Sequence, residues 1–163
     1  MYRRAFPNSR ALRKGRVSER NHIYLVTFRC VGRRPLLADL RLGKIVAGEI
    51  QRLDLSDLTK TFAFVVMPDH VHWLFELRGA ESLSKVVRSL KGRSSRQINR
   101  ARKDNGTVWQ SGFHDRALRY VESLREAGFY IINNPVRASL VKQWWDYPLL
   151  YIDSTIAAEA APT

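Results

Sequence analysis

Two apolar segments separated only by a short turn place the strongest constraint on the fold of this chain. Residues 61–67 (TFAFVVM) and 70–77 (HVHWLFEL) are rich in the β-branched and aromatic residues that favour strands. The dipeptide Pro68-Asp69 between them is a turn signal. Together these segments predict an antiparallel hairpin, and hence a sheet to which other parts of the chain add.

Hydrophobic periodicity predicts the elements around this hairpin. Before it lie a strand at 22–30 and a helix at 39–53. After it, a helix starts at the N-cap Ser82 and loosens from Gly92 towards Lys103, and a strand follows at 108–118. The last helix begins with the capping-box spacing of Ser123 and Glu126 and ends at Pro135.

This order, β-α-β-β-α-β with one more helix, is that of the split βαβ arrangement. We therefore predict an α+β protein with a ferredoxin-like βαββαβ antiparallel sheet and an additional C-terminal helix. Two helices would cover one face of the sheet and leave the other face open. We expect one domain at 22–150, preceded by a basic N-terminal arm at 1–21 and followed by a weak tail at 151–163.

Positive charge is concentrated in two parts of the chain. The 163 residues contain 28 Lys+Arg against 15 Asp+Glu, a formal net charge of +13. Residues 1–34 hold ten basic residues against one acid, and residues 85–103 hold eight and no acid. Each neutralised phosphate adds to the affinity for a polyanion, so such clusters favour a nucleic-acid partner. The alternative is a solvated arm and helix face that only maintain solubility.

Composition argues against several other classes of protein. The single cysteine, Cys30, can form neither an internal disulfide nor a Cys-based zinc site. No segment approaches the roughly 18 apolar residues of a membrane span, and the basic N-terminus lacks the apolar stretch of a signal peptide. We therefore expect a cytoplasmic protein without a membrane partner.

The third predicted strand places two histidines together. Side chains alternate along a strand, so His70 and His72 share one face while Val71 and Trp73 share the other. The large apolar side chains would face the helices, which leaves both imidazoles on the open face, close enough to bind one metal ion. The alternative is that they are two ordinary surface histidines.

The last predicted helix adds two further candidates. Tyr130 and Asn134 are four residues apart and therefore lie on one helical face. A tyrosine offers a phenolic oxygen as a nucleophile, and an asparagine offers a carbonyl oxygen as a metal ligand. The alternative is that Tyr130 is a half-buried core residue and that Asn134 caps the helix before Pro135.

In combination, these motifs resemble those of the single-tyrosine HUH transposases, and more narrowly the REP-associated tyrosine transposases. The resemblance rests on residues 67–73 (MPDHVHW) and 130–138 (YIINNPVRA), in that order. It covers about residues 10–150, with supporting segments at 13–16, 26–27, 108–110 and 114–116. Asn134 stands where the wider family commonly has glutamine. An asparagine at this position resembles the REP-associated branch.

The resemblance implies a reaction and a set of site residues. Tyr130, on the additional C-terminal helix, would attack a phosphodiester of single-stranded DNA and form a 5′-phosphotyrosine. His70, His72 and Asn134 would bind a divalent metal, Mg²⁺ or Mn²⁺. Hairpin DNA of the REP-like palindromic type would be the substrate, with no small-molecule substrate. The protein would act as a monomer, with a dimer, which also occurs in the family, as the alternative. It would be located in the bacterial cytoplasm, associated with the nucleoid. Basic residues expected to contact DNA are Arg13, Lys14, Arg16, Lys85, Arg88, Lys91 and Arg93.

Other functions are compatible with parts of this pattern. A ferredoxin-like module could bind single-stranded nucleic acid without cutting it, although such sheets usually stack bases on exposed aromatic side chains. A metal-dependent hydrolase without a covalent step would require a carboxylate base, and Glu76 lies too far along the strand. A decayed transposase would retain the fold and DNA binding without activity.

Overall fold

The computed structural model describes residues 20–119 and 121–158. Five antiparallel strands formed by these residues make one sheet in the order β4-β1-β3-β2-β5. The elements, in chain order, are β1 (Ile23–Arg29), α1 (Leu40–Leu55), β2 (Thr59–Val66), β3 (His70–Leu77), α2 (Leu83–Arg102), β4 (His114–Leu118), α3 (Val121–Ile132), α4 (Asn134–Arg137), β5 (Leu150–Ile152) and α5 (Ser154–Ala157).

The first four strands confirm the predicted ferredoxin-like α+β fold. β2 and β3 form the expected hairpin, with Val66 opposite Val71, and β1 pairs with the other side of β3. β4 then extends the sheet beyond β1. The additional helix expected after these strands is α3, which contains Tyr130. Within the described residues, no helix has the length and apolar character needed to cross a membrane.

Helices α1 and α2 cover one face of the sheet. The aromatic side chains that alternate along β3, Trp73 and Phe75, are fully buried in the core beneath these helices. Their rings stack with centroids 3.7 Å apart, and the Trp73 indole donates a hydrogen bond to Thr61 Oγ1 at 3.0 Å. The strict alternation of β3 therefore directs its largest apolar surface towards α1 and α2, as expected.

The expectation that the opposite face is open is wrong. Leu74 and Val65 on that face are buried against Ala127 and Ile131 of α3. An amphipathic helix must bury its apolar stripe, and α3 does so on the second face of the sheet. The side chains of β3 that point this way, including His72, therefore lie in an interface between sheet and helix.

The described boundaries correct three other expectations. α2 does not loosen at Gly92 but continues to Arg102, because Leu90 and Ile98 on either side of this position are both buried. β4 starts only at His114, since the chain before it forms an isolated bridge at Trp109 and then departs from the ladder. α3 begins at Val121, so Ser123 is inside the helix rather than at its N-cap.

The segment expected to be a weak tail belongs to the domain over its described part, residues 151–158. β5 pairs with β2, with Tyr151 opposite Phe64, and α5 follows directly. The Asp153 side chain caps α5 by accepting a hydrogen bond from the Thr155 amide at 2.8 Å. Ile156 is 2% exposed and packs in the α3-side core. Because β5 has three residues and α5 four, neither is long enough to show a clear period in the sequence.

We predict that Ile156→Ala lowers the free energy of unfolding by about 2–4 kcal/mol, the usual cost of deleting a buried aliphatic side chain. Leu55→Ala is the matched control, because Leu55 is 82% exposed, and its change should stay within about 0.5 kcal/mol. Chemical denaturation followed by circular dichroism measures both. Equal effects of the two substitutions would contradict the assignment of α5 to the core.

Candidate functional site

The two histidines of β3 lie side by side on the sheet face that α3 covers. Their ring centroids are 4.8 Å apart. His72 is 6% exposed, whereas His70 at the beginning of the strand is only partly buried. The sequence prediction that both side chains share a face is therefore correct in direction, although that face is covered rather than open.

A neighbouring oxygen orients each imidazole. The Asp69 carboxylate lies 2.6 Å from His70 Nδ1, and the Thr27 hydroxyl lies 2.7 Å from His72 Nδ1. Because a carboxylate only accepts, the proton of this hydrogen bond is on His70 Nδ1. The Thr27 hydroxyl can accept in the same way from His72. Hydrogen bonding at one ring nitrogen, which leaves the other for coordination, is the usual arrangement around metal-binding histidines.

Tyr130 packs against this pair from α3. Its ring centroid is 5.3 Å from that of His72, in an edge-to-face arrangement. The Arg137 guanidinium lies 4.5 Å from the centre of the Tyr130 ring. The tyrosine remains 42% exposed. Its ring therefore contacts both a histidine and a cation while the residue stays accessible to a ligand from solvent.

Asn134 lies one turn beyond Tyr130, at the beginning of α4. Its side-chain amide nitrogen donates to the Tyr130 carbonyl oxygen at 2.7 Å. Because only the nitrogen end of the amide can donate to a carbonyl, the Asn134 oxygen is the end that is left to accept or coordinate. The strand and helix motifs, about 60 residues apart in the sequence, thus meet in one place.

Burial and positive charge keep His72 neutral. Desolvation is the main cause, and the neighbouring His70, Arg29 and Arg137 add to it, so that the pKa of His72 falls from 6.5 to about 3. A neutral imidazole is the form that coordinates metal. The same groups make the electrostatic potential at this point positive, which favours an approaching anion.

The donor set fits a divalent cation only if a neutral side chain joins the histidines. Among the described residues, no group of three or more His, Cys, Asp and Glu could hold a metal ion. The two oriented imidazoles and the Asn134 oxygen would have to supply the donors, and two nitrogens with one oxygen are a combination that suits Mn²⁺.

The basic residues expected to bind DNA have different environments. Lys85 forms an exposed ion pair with Glu81 at 2.6 Å, and Arg88 is exposed on α2. Lys91 donates to two main-chain carbonyls of residues 110 and 112, and Arg93 pairs with the buried Glu49 at 3.0 Å. The last two side chains therefore hold the fold together. The other three candidates, Arg13, Lys14 and Arg16, lie outside the described residues.

The location of α2 separates these cations from Tyr130. α2 packs on the face of Trp73 and Phe75, and α3 packs on the opposite face. Sequence reasoning missed the cations that do surround the site, Arg29 and Arg137. The register of β1 against β3, with Thr27 opposite His72 and Arg29 opposite His70, could have indicated Arg29. Arg137 is within the helix motif, but the motif alone does not indicate its contact with the Tyr130 ring.

Comparison with known proteins assigns the chain to a family. The sequence profile of the family described as "Transposase IS200 like" matches residues 18–134, which is more than half of the chain. The chain therefore belongs to the IS200-like transposase family. This agrees with the resemblance derived from the histidine and tyrosine motifs.

Three individual relatives are each less than 30% identical to this chain. The chain is 29% identical over 101 residues to the REP-associated tyrosine transposase of Escherichia coli K12, a match that covers 61% of this chain and 58% of that protein. The chain thus spans less than two thirds of that relative. Its fold is similar to the structure of a REP-associated tyrosine transposase bound to a REP hairpin, with a TM-score of 0.72, 24% identity, and coverage of 90% of this chain and 86% of that one. It is also similar to a putative transposase from Deinococcus radiodurans R1, with a TM-score of 0.52, 21% identity, and coverage of 73% and 95%.

We predict that the His72 ring stays neutral as the pH falls from 7 towards its pKa of about 3. In the unfolded chain a histidine binds a proton near pH 6.5. Between these two values the unfolded state binds more protons, so the free energy of unfolding decreases as the pH falls, by at most about 1.4 kcal/mol per pH unit from this residue. Nitrogen chemical shifts of the ring measure its protonation directly.

The variant His72→Gln provides the control, because glutamine does not titrate. Its free energy of unfolding should lose this part of the pH dependence between about pH 3 and 6.5. A native His72 ring that titrates near its ordinary pKa would contradict the burial and charge environment described here.

Proposed function

We propose that this protein cleaves and rejoins single-stranded DNA through a covalent bond to Tyr130. The observation that carries the proposal is the contact of the exposed Tyr130 ring with His72, beside His70 and one turn from Asn134. The residue that would act as the nucleophile thus contacts one of the two strand histidines that would bind a metal. Membership of the IS200-like transposase family supports the same reaction class.

The proposed step is a transesterification. The Tyr130 phenolic oxygen forms a bond to phosphorus, the bond from phosphorus to the 3′ oxygen breaks, and the departing oxygen takes a proton to become a free 3′-hydroxyl. The phenol proton is released to water. The phosphodiester is conserved as a 5′-phosphotyrosine, so attack by a 3′-hydroxyl rejoins DNA without an external energy source. The edge contact with His72 and the cation of Arg137 hold the ring for this attack.

His70, His72 and Asn134 are the residues that would hold a divalent metal, Mg²⁺ or Mn²⁺. When bound, such an ion polarises the scissile phosphate and offsets the charge that develops on its oxygens. Asp69 and Thr27 orient the two imidazoles, and the low pKa of His72 keeps its ring free of a competing proton.

We propose hairpin DNA with a single-stranded extension as the substrate, in bacterial cytoplasm close to the nucleoid and with the protein as a monomer. Two observations support the DNA substrate: the similar solved structure is that of a transposase bound to a REP hairpin, and this chain has a net charge of +13. Because Lys85 and Arg88 lie on α2, across the sheet from Tyr130, they would contact DNA away from the scissile linkage.

Tyr130→Phe should abolish a covalent protein–DNA adduct, because phenylalanine lacks the attacking oxygen. Labelled hairpin oligonucleotides are incubated with the protein and Mn²⁺ or Mg²⁺, denatured, and separated by gel electrophoresis. The wild-type protein should give a denaturant-resistant band that disappears when the metal is chelated.

Tyr151→Phe is the matched control, since Tyr151 has nearly the same exposure, 43% against 42%. This variant should form the adduct at the wild-type level. If DNA shifts on a native gel but forms no adduct with either metal, the proposal of an enzyme is wrong. The result would then favour a module that only binds single-stranded nucleic acid.

Asp69→Asn should weaken Mn²⁺ binding about 10- to 100-fold, because loss of the partner of a metal-binding histidine has effects of this size. Asparagine retains the shape of the side chain but not its charge. Electron paramagnetic resonance of free Mn²⁺ measures the affinity without any DNA.

The control for this prediction is Asp57→Asn, the same substitution at a residue whose carboxylate is 83% exposed and pairs with Arg78 at 3.5 Å. It should bind Mn²⁺ as the wild-type protein does. Unchanged affinity in Asp69→Asn would exclude His70 as an oriented ligand.

A further inference from the structure

A small polar pocket lies at the end of β1, next to the candidate site. Two short segments line it, residues 27–29 of β1 and residues 110–114, which lead into β4. Thr27 connects the pocket to the site, because its hydroxyl lies 2.7 Å from His72 Nδ1. A ligand in this pocket would therefore be close to the histidines without replacing them.

Arg29 is the cation of this pocket. It shares a strand face with Thr27 and lies opposite His70 in the register of β1 and β3. Its Nε atom is buried and has no hydrogen-bond partner among the described residues. A buried donor that is left unpaired on a charged group is costly, so this group calls for a partner beyond the described residues.

The pocket wall is built by specific contacts from α2. Lys91 Nζ donates to the carbonyl oxygens of Gln110 and Gly112, both at 2.7 Å. The main-chain amide of Gln110 donates to the Arg29 carbonyl oxygen at 2.8 Å, and the Trp109 indole donates to Ser94 Oγ at 3.0 Å. Gly112 has a φ of 79°, a conformation that favours glycine. Contacts from α2 therefore hold the pocket wall in place.

The charges around the pocket favour an anion. Its lining contains Arg29 and His114 but no carboxylate. A guanidinium with an unused donor binds phosphate oxygens well, because its planar donors match their geometry.

We propose that this pocket binds a phosphodiester of the single strand, next to the linkage that Tyr130 attacks, with the Arg29 guanidinium as the charged contact. The inference rests on the proposed function for the identity of the anion. Arg29, which lines the pocket, would donate to the DNA backbone and hold the strand in line with Tyr130. Lys91 acts as a positioning residue that keeps residues 110–112 in place.

The test is a scan of the DNA backbone. A fluorescent hairpin oligonucleotide with a single-stranded extension is prepared with one phosphate at a time replaced by an uncharged methylphosphonate. Binding is followed by fluorescence anisotropy at fixed salt. The wild-type protein should lose about 10- to 100-fold in affinity at one linkage of the extension, the size expected for a charge-assisted hydrogen bond.

Arg29→Gln should bind the unmodified oligonucleotide about 10- to 100-fold more weakly and should no longer respond to replacement of that linkage. The affinity of Arg29→Lys, which keeps the charge without the planar donors, should fall between those of the wild-type protein and Arg29→Gln. The matched control is Arg78→Gln, because Arg78 directly follows β3 at the end of the strand opposite His70. This control should retain the full response of the wild-type protein.

A scan in which no linkage changes the wild-type affinity by more than about threefold would overturn the proposal, whether or not Arg29→Gln folds. The same conclusion follows if folded Arg29→Gln, verified by circular dichroism, retains the linkage-specific loss. The binding scan is independent of cleavage. A linkage-specific loss that depends on Arg29, without any Tyr130 adduct, would overturn the proposed function and leave the pocket assignment intact.

Discussion

The alternation of side chains along β3 is the constraint on which the other features depend. β3 is the central strand of the sheet, and its residues point in turn to two different helical layers. One set, which includes Trp73 and Phe75, forms the core beneath α1 and α2. The other set places His72 and Leu74 beneath α3. A shift of the register by one residue would exchange these sets and bury the histidines in the apolar core, so packing and site geometry are determined together.

The packing of α3 gives the candidate site its chemical character. By covering the second face, α3 buries His72 and brings Tyr130 into contact with it. Burial holds the pKa of His72 far below its usual value, and Arg29 and Arg137 strengthen this effect. The result is a neutral imidazole in a positive field, beside a tyrosine that remains 42% exposed. Such a combination suits a polyanionic substrate, because the charges that discourage protonation of the histidine also attract phosphate.

The sequence predicted the main elements because their signals are long and periodic. The hairpin of β2 and β3 follows from two runs of strand-favouring residues joined by a turn signal, and the faces of α1 and α2 follow from helical spacing. The placement of His70 and His72 on one face follows from alternation along the strand. Short elements were missed for the opposite reason: β5 and α5 contain three and four residues. Among the candidate cations, Lys91 and Arg93 could not be distinguished from Lys85 and Arg88. All four are basic residues of α2, and only their distant partners separate them.

By itself, the sequence determined the class of fold, the order of the first four strands along the chain, and the two motifs on which the family resemblance rests. These are properties of local patterns, which depend on neighbours within a strand or a helical turn. Only the tertiary structure decided that α3 covers the second face, that Arg29 and Arg137 surround His72, and that Lys91 supports the wall of a pocket. Each of these depends on contacts between residues distant in the chain, and long-range packing leaves no periodic trace in the sequence.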